Sequence, residues 1–157
     1  ALSISAAKRF PLAEVQGIDY WPPMWNYGQP QCEANAAAEG VADRCTFQHG
    51  DAAKLDFPDN HFDAVISNFV FHEVRTQKDK FLLVEESLRV LKKGGAFALH
   101  DTFGNRDMYG NMDEFVAYLQ EKGIADVSYL PNTERNIPMP APVRFMMRGI
   151  GMLYGTK

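Results

Sequence analysis

The sequence predicts an α/β fold, a doubly wound and mostly parallel sheet that closes in a C-terminal antiparallel hairpin. Three observations carry this. Apolar runs of strand length alternate with helix-periodic stretches along most of the 157 residues, the pattern that builds a parallel sheet covered by helices. Two strand candidates near the end have no full helix between them, which suggests the hairpin. The chain also opens inside a helix, where a doubly wound domain has a strand and a turn first, so the central first strand is expected to be missing from it.

The elements follow in order. Ala1 to Phe10 reads as a helix already under way, and Pro11, which has no backbone N–H, ends it. Glu14-Val15-Gln16-Gly17-Ile18-Asp19 reads as a short strand closing on an acid. Gln29 to Glu39 is rich in Ala, Glu and Gln, which favour helix, and Gly40 stands where a C-terminal cap would. Cys45 to His49 is a second strand, ending at Gly50-Asp51. Phe57-Pro58-Asp59-Asn60 is turn chemistry. The nearly continuous apolar run from Phe62 to Ser67 then fits a strand covered on both faces.

From Gln77 to Lys93, Phe81, Val84, Leu88 and Leu91 recur at spacings of 3, 4 and 3, one face of a helix that Gly94-Gly95 would stop. Ala96 to His100 is the next strand. Asn111, with Glu114 three residues on, resembles a capping box ahead of Met112, Phe115, Val116 and Leu119, and Gly123 ends that helix. Strands are expected at Ala125 to Leu130 and Ile150 to Gly155, separated by a loop with four prolines from Pro131 to Pro142. No repeat and no linker divides the chain, so residues 1–157 read as a single domain, incomplete at its N-terminus.

Composition narrows the function. Hydrophobic residues make up 46 % and charged residues 23 %, ordinary for a globular protein and unlike a disordered or collagen-like chain. A net charge of −4 argues against a nucleic-acid partner, whose phosphates require clustered Lys and Arg. No apolar run approaches the roughly 18 residues that span a bilayer, and no signal peptide is visible. Cys32 and Cys45 lie outside any CxxC or CxxH arrangement, which favours a reducing, cytoplasmic setting. His49, His61, His72 and His100 show no ligand spacing, so no metal is expected.

Ligands of open α/β sheets bind beyond the carboxyl ends of the strands. There stand Asp19, Asp51, Asn68 with Phe69, and His100 with Asp101. A carboxylate at the position of Asp19 can accept two hydrogen bonds from a ribose diol, although an acid there also suits a turn or an N-cap.

Five segments in order carry a family resemblance: Val15-Gln16-Gly17-Ile18-Asp19-Tyr20; Gly50-Asp51-Ala52 with Leu55-Asp56-Phe57-Pro58-Asp59; Phe62 to Asn68; Phe71-His72-Glu73-Val74; and Leu88-Arg89-Val90-Leu91-Lys92-Lys93-Gly94-Gly95. From Ala1 to about Asp101 the chain resembles the class I S-adenosylmethionine-dependent methyltransferases, in particular the small-molecule subgroup of the ubiquinone and menaquinone biosynthesis methyltransferases. The resemblance implies a Rossmann-like fold and S-adenosylmethionine as cofactor. It implies that Asp19 holds the ribose hydroxyls, that Tyr20 and Trp21 flank the adenine, and that Asp51 accepts from the adenine amino group beside the Ala52 backbone. Asn68 and Phe69 would line the methionine side. The family's glycine-rich loop would end just ahead of Ala1-Leu2-Ser3, so that loop and its strand are expected to precede this chain, with an upstream membrane-anchoring segment left open.

The implied reaction moves a methyl group to a small-molecule acceptor. His72, His100 and Asp101 are candidate bases, but no catalytic residue is assigned, and His72 better suits a histidine that fixes its loop. The acceptor pocket is expected from residues 21–27, 102–110 and the proline-rich stretch to Met147, with Trp21, Met24, Trp25, Tyr27, Phe103, Met108, Tyr109, Phe145, Met146 and Met147 as lining or, as such residues more often serve, as core or lid packing. Three alternatives stand beside this reading: a nicotinamide-dependent dehydrogenase, a degenerate methyltransferase-like module acting by contact, and a fragment completed by a partner. A homodimer fits the last.

Overall fold

Two parallel strands, each with its own helix, make up the first part of the computed structural model. That unit runs from Ala1 to Lys54, and a second runs from Leu55 to Lys157. All residues are described except Pro23, Trp25 and Ala125, with the backbone alone for Arg144, Phe145 and Met146.

In the first unit the order is α1 (Leu2–Arg9), β1 (Val15–Asp19), α2 (Gln29–Ala38) and β2 (Cys45–His49). Ile4, Ala7, Ala36, Val41 and Cys45 form its core, with Val15 and Phe47 packed against them. Gly17 is required by close approach: a Cβ there would stand 2.6 Å from the Phe47 ring and 2.9 Å from Ser3 Oγ. The α2 helix ends as its sequence predicts. Gly40 takes φ +69°, its N–H donates to Ala37 O, and the Val41 N–H donates to Ala36 O, a Schellman cap. Strands β1 and β2 pair in parallel from Val15 opposite Cys45 to Asp19 opposite His49.

The second unit holds a four-stranded sheet in the order β3 (Phe62–Asn68), β4 (Leu91–Asp101), β6 (Gly151–Thr156), β5 (Asp126–Pro131). β3 and β4 are parallel, whereas β6 runs antiparallel to both β4 and β5. The expected closing hairpin is present, with its second strand inserted between β4 and β5. Helix α3 (Lys80–Val90) lies against β4, and α5 (Met112–Glu121) against β5. Leu83, Val84 and Leu88 of α3, Leu99 of β4, Phe115 and Leu119 of α5 and Leu153 of β6 are buried. Each such side chain contributes on the order of 1.5–3 kcal/mol by leaving water.

Several expectations are corrected in detail. Helix α3 starts at Lys80, not Gln77, because Asp79 accepts from the Phe81 N–H as its N-cap. It ends at Val90, and Leu91 already has extended angles, φ −79° and ψ 133°. Gly94-Gly95 therefore stops no helix. It forms an irregularity inside β4, where Gly94 takes φ +77° and the register slips from Phe62–Leu91 to Ala64–Ala96. The apolar run of β3 is not covered on both faces: Ala64 and Ile66 are exposed on an edge strand. A continuous apolar run does not specify how many of its faces are covered. The proline-rich stretch contains a 3₁₀ turn at Thr133–Asn136 and α4 is likewise a single short turn (Arg106–Tyr109), while α6 (Ala141–Met146) carries Pro142 in its first turn, where a missing N–H costs nothing. The capping box of α5 is modified: Asn111 accepts from Asp113 N, and its amide donates to Glu114 Oε1 at 2.9 Å. No helix among the described residues is long and apolar enough to cross a membrane.

Candidate functional site

In the first unit, the parallel pairing of β1 and β2 sets two carboxylates at the same end of neighbouring strands. Asp19 is the last residue of β1, the Gly50 N–H donates to its carbonyl at 3.0 Å, and Asp51 follows directly. Both side chains are half-buried. Asp19 accepts from the Trp21 N–H through Oδ1 at 3.1 Å and from the Tyr27 hydroxyl through Oδ2 at 3.4 Å. Burial and the Asp19 charge both raise the Tyr27 hydroxyl above its usual range. Asp51 Oδ1 accepts from Ala53 N at 2.8 Å, closing a turn that contains Ala52. Tyr20 is 51 % exposed, its ring 5.1 Å from that of His49.

Trp21 is unusual. A bulky residue at φ +40° is strained, and its indole Nε1 is buried with no partner among the described residues. Acceptor carboxylates, an unpartnered buried donor and Gly50, where a Cβ would stand 2.6 Å from Ile18, form a donor and acceptor set that fits the adenosine part of S-adenosylmethionine.

In the second unit, β3 and β4 end side by side, Asn68 opposite His100. The His100 Nδ1–H donates to Asn68 Oδ1 at 2.8 Å, and the Thr133 hydroxyl donates to Nε2 at 2.7 Å. Burial pushes the His100 imidazole below its usual range. Phe69 takes φ +55°, and its ring meets His100 edge-on at 5.2 Å. Of the four described non-glycine residues at positive φ, Trp21 and Phe69 are the bulky ones, and both stand where the resemblance places cofactor contacts. Strain of this kind concentrates at functional sites.

Asp101 differs from the other strand-end acids. It is 1 % exposed and accepts from Phe71 N (2.9 Å), Thr102 N (2.7 Å), the Thr102 hydroxyl (3.2 Å), the Tyr109 hydroxyl (3.0 Å) and His72 Nδ1 (2.8 Å). Burial chiefly raises the Tyr109 hydroxyl, which also faces the Asp101 charge. Phe103 and Tyr109, expected in an acceptor lining, are buried, their rings 4.9 Å apart. Met24 and Tyr27 are exposed, while Trp25 and the side chains of Phe145 and Met146 lie outside the described residues. Sequence reasoning assigned nothing to Lys80, buried with its ammonium on the carbonyls of Val74 and Gln77. It likewise missed Arg89, which donates to Leu55 O, Phe57 O, Asp59 and Glu86. A lone cation in a helix carries no sign of such partners.

Comparison with known proteins bears on the family. Residues 1–99 match the family model described as a methyltransferase domain. The chain is 31 % identical over 159 residues to the demethylmenaquinone methyltransferase of Thermus thermophilus, covering 96 % of this chain and 68 % of that protein. It is 29 % identical to the Geobacillus kaustophilus enzyme of the same name, covering 91 % of this chain and 62 % of that protein. The structure of Haemonchus contortus phosphoethanolamine N-methyltransferase 2, solved with S-adenosyl-L-methionine, superposes with a TM-score of 0.64 at 18 % identity, covering 98 % of this chain and 45 % of that one. The chain belongs to the class I S-adenosylmethionine-dependent methyltransferases.

Proposed function

We propose that the protein transfers a methyl group from S-adenosylmethionine to a small-molecule acceptor, with both units serving one methyltransferase domain. The pair of half-buried carboxylates at the ends of β1 and β2 carries this reading. Asp19 holds the ribose hydroxyls, Tyr20 and Trp21 flank the adenine, and Asp51 with the Ala52 backbone receives its amino edge. Asn68, oriented by His100, and Phe69 serve the methionine side. When bound, the cofactor supplies a methyl group already activated on a sulfonium, so the residues of the chain contribute orientation and exclusion of water. Alignment of donor and acceptor is worth on the order of 7–11 kcal/mol in favourable cases.

Similarity to the demethylmenaquinone methyltransferases supports a small-molecule acceptor. Calorimetric titration of S-adenosylmethionine into the full protein and its Asp19→Ala variant tests the reading. Loss of two charge-assisted bonds predicts an affinity at least about tenfold weaker. Unchanged affinity would overturn the ribose assignment.

A further inference from the structure

Lys80 is a buried cation without a carboxylate of its own. It is 7 % exposed and opens α3, at the end of a helix whose dipole disfavours positive charge. Its ammonium donates to Val74 O and, at 3.1 Å, to Gln77 O, which leaves one of its three hydrogens over. Burial lowers the ammonium below its usual range, with Asp101 and Glu73 pulling the other way. No acid among the described residues forms an ion pair with it. A buried charge without a counter-ion is costly, and an anion would complete it. Lys80 lines a cleft of about 480 Å³ with Arg75, Lys78 and Asp107. The cleft lies between the segments that follow β3 and β4, beyond the carboxyl ends of both strands, where such sheets hold their ligands. Arg75 and Lys78 are likewise in no ion pair among the described residues. Three cations against the one acid of that lining leave two positive charges unmatched.

We propose that this cleft binds the dianion of a phosphate monoester, with Lys80 as the buried anchor and Arg75 and Lys78 as the outer donors. A guanidinium fork and two ammonium groups supply the charge-assisted hydrogen bonds that phosphate oxygens accept. Two unmatched positive charges suit a dianion better than a monoanion. The role of the group rests on the methyltransferase reading, under which the phosphate belongs to the methyl acceptor and fixes it at the end of the sheet. Asp107 opposes the anion and limits how tightly it is held.

The test is calorimetry on the full protein at mildly alkaline pH with three probes: phenyl phosphate, benzenesulfonate and inorganic phosphate. Phenyl phosphate should bind about tenfold more tightly than the monoanion benzenesulfonate. Arg75→Gln and Lys78→Gln should each weaken it about tenfold. Asp107→Asn should tighten it about threefold, a gain that a merely structural residue would not give. In nitrogen-15 NMR of the lysine-labelled protein, phenyl phosphate should shift the Lys80 Nζ signal, and Lys80→Gln should abolish binding. Should Lys80→Gln fail to fold, the three surface variants and the Nζ signal still decide. Equal affinity for phenyl phosphate and benzenesulfonate, indifference to Arg75→Gln and Lys78→Gln, or an unmoved Lys80 signal overturns the proposal. Inorganic phosphate bound as tightly as the ester overturns the assignment to a group carried on a larger molecule. Saturating S-adenosylmethionine should leave the phenyl phosphate affinity unchanged, and displacement of the probe would give the cleft to the cofactor and overturn the proposal. A protein that binds phenyl phosphate as described but does not bind S-adenosylmethionine would instead sink the methyltransferase reading and leave the anion site standing.

Discussion

Asp19 and Asp51 of the first unit and Asp101 of the second all stand at or just beyond the carboxyl end of a strand, yet their surroundings differ sharply. The first two are half-buried, and Asp19 carries one long hydrogen bond on each oxygen. Asp101 is 1 % exposed and takes hydrogen bonds from two backbone amides, two hydroxyls and an imidazole. Acceptor capacity left unused is available to a ligand, whereas capacity consumed by the protein serves the fold. Topological position brings an acid to the binding end of a sheet, and its neighbours decide which of the two tasks it performs.

The sharpest way to break this comparison is to remove each acid in turn. Asp101→Ala leaves buried donors on two loops and on Tyr109 without an acceptor, a loss of about 3–5 kcal/mol. Thermal melts should fall by about 10 °C. Asp19→Ala should change stability by less than about 0.5 kcal/mol, and comparable melting of the two variants would erase the distinction.

Arg89 extends the comparison to a saturated cation. Its guanidinium closes the Leu55–Asp59 segment on α3 through two carbonyls, Asp59 and Glu86, and these contacts raise its affinity for its proton. Arg89→Ala should cost about 2 kcal/mol, read by urea denaturation. Most of that comes from the carbonyls and Glu86, because the exposed Asp59 pair is worth little. Asp59→Ala, at well under 1 kcal/mol, is the control.

Binding reverses the ranking. The tenfold loss of S-adenosylmethionine affinity expected for Asp19→Ala equals about 1.4 kcal/mol and should appear without a change in melting temperature. The smallest effect is a matter of pH. The Arg89 hydrogen bond holds the Glu86 carboxyl below its usual 4.5, so the folded state binds fewer protons there than the unfolded one. Its contribution is complete above pH 4.5 and is lost as pH falls through the lower folded value. Glu86→Gln should therefore flatten the acid limb of a stability–pH profile, and an unchanged limb would refute the assignment.

Element order was legible because each element states its own period and its own ends. The caps at Gly40 and Gly123 are local devices: a residue at positive φ, and N–H groups returning to carbonyls three to five residues back. The limits of α3 were harder to read, because the apolar spacing runs on through Leu91 although the backbone extends there. Its buried face also includes Leu83 and Ser87, while Phe81 stacks on Phe115 at 3.8 Å. Aromatic residues between 102 and 110 suit a pocket or, more often, a core in sequence, and Phe103 and Tyr109 are core here, packed on each other with the Tyr109 hydroxyl on Asp101.

By itself, the sequence determined the α/β class, the order of the strands and of the longer helices, and the family, because periodicity, caps and short motifs are encoded over a few neighbouring residues. Tertiary structure alone decided that β6 lies between β4 and β5, that the glycine pair interrupts a strand, and that Asp101 is enclosed while Asp19 and Asp51 stay partly exposed. Those outcomes depend on groups some 30 residues or more apart in the chain, such as Phe71 and His72 meeting Asp101. Burial and hydrogen bonding between distant groups are set only when the strands are laid side by side.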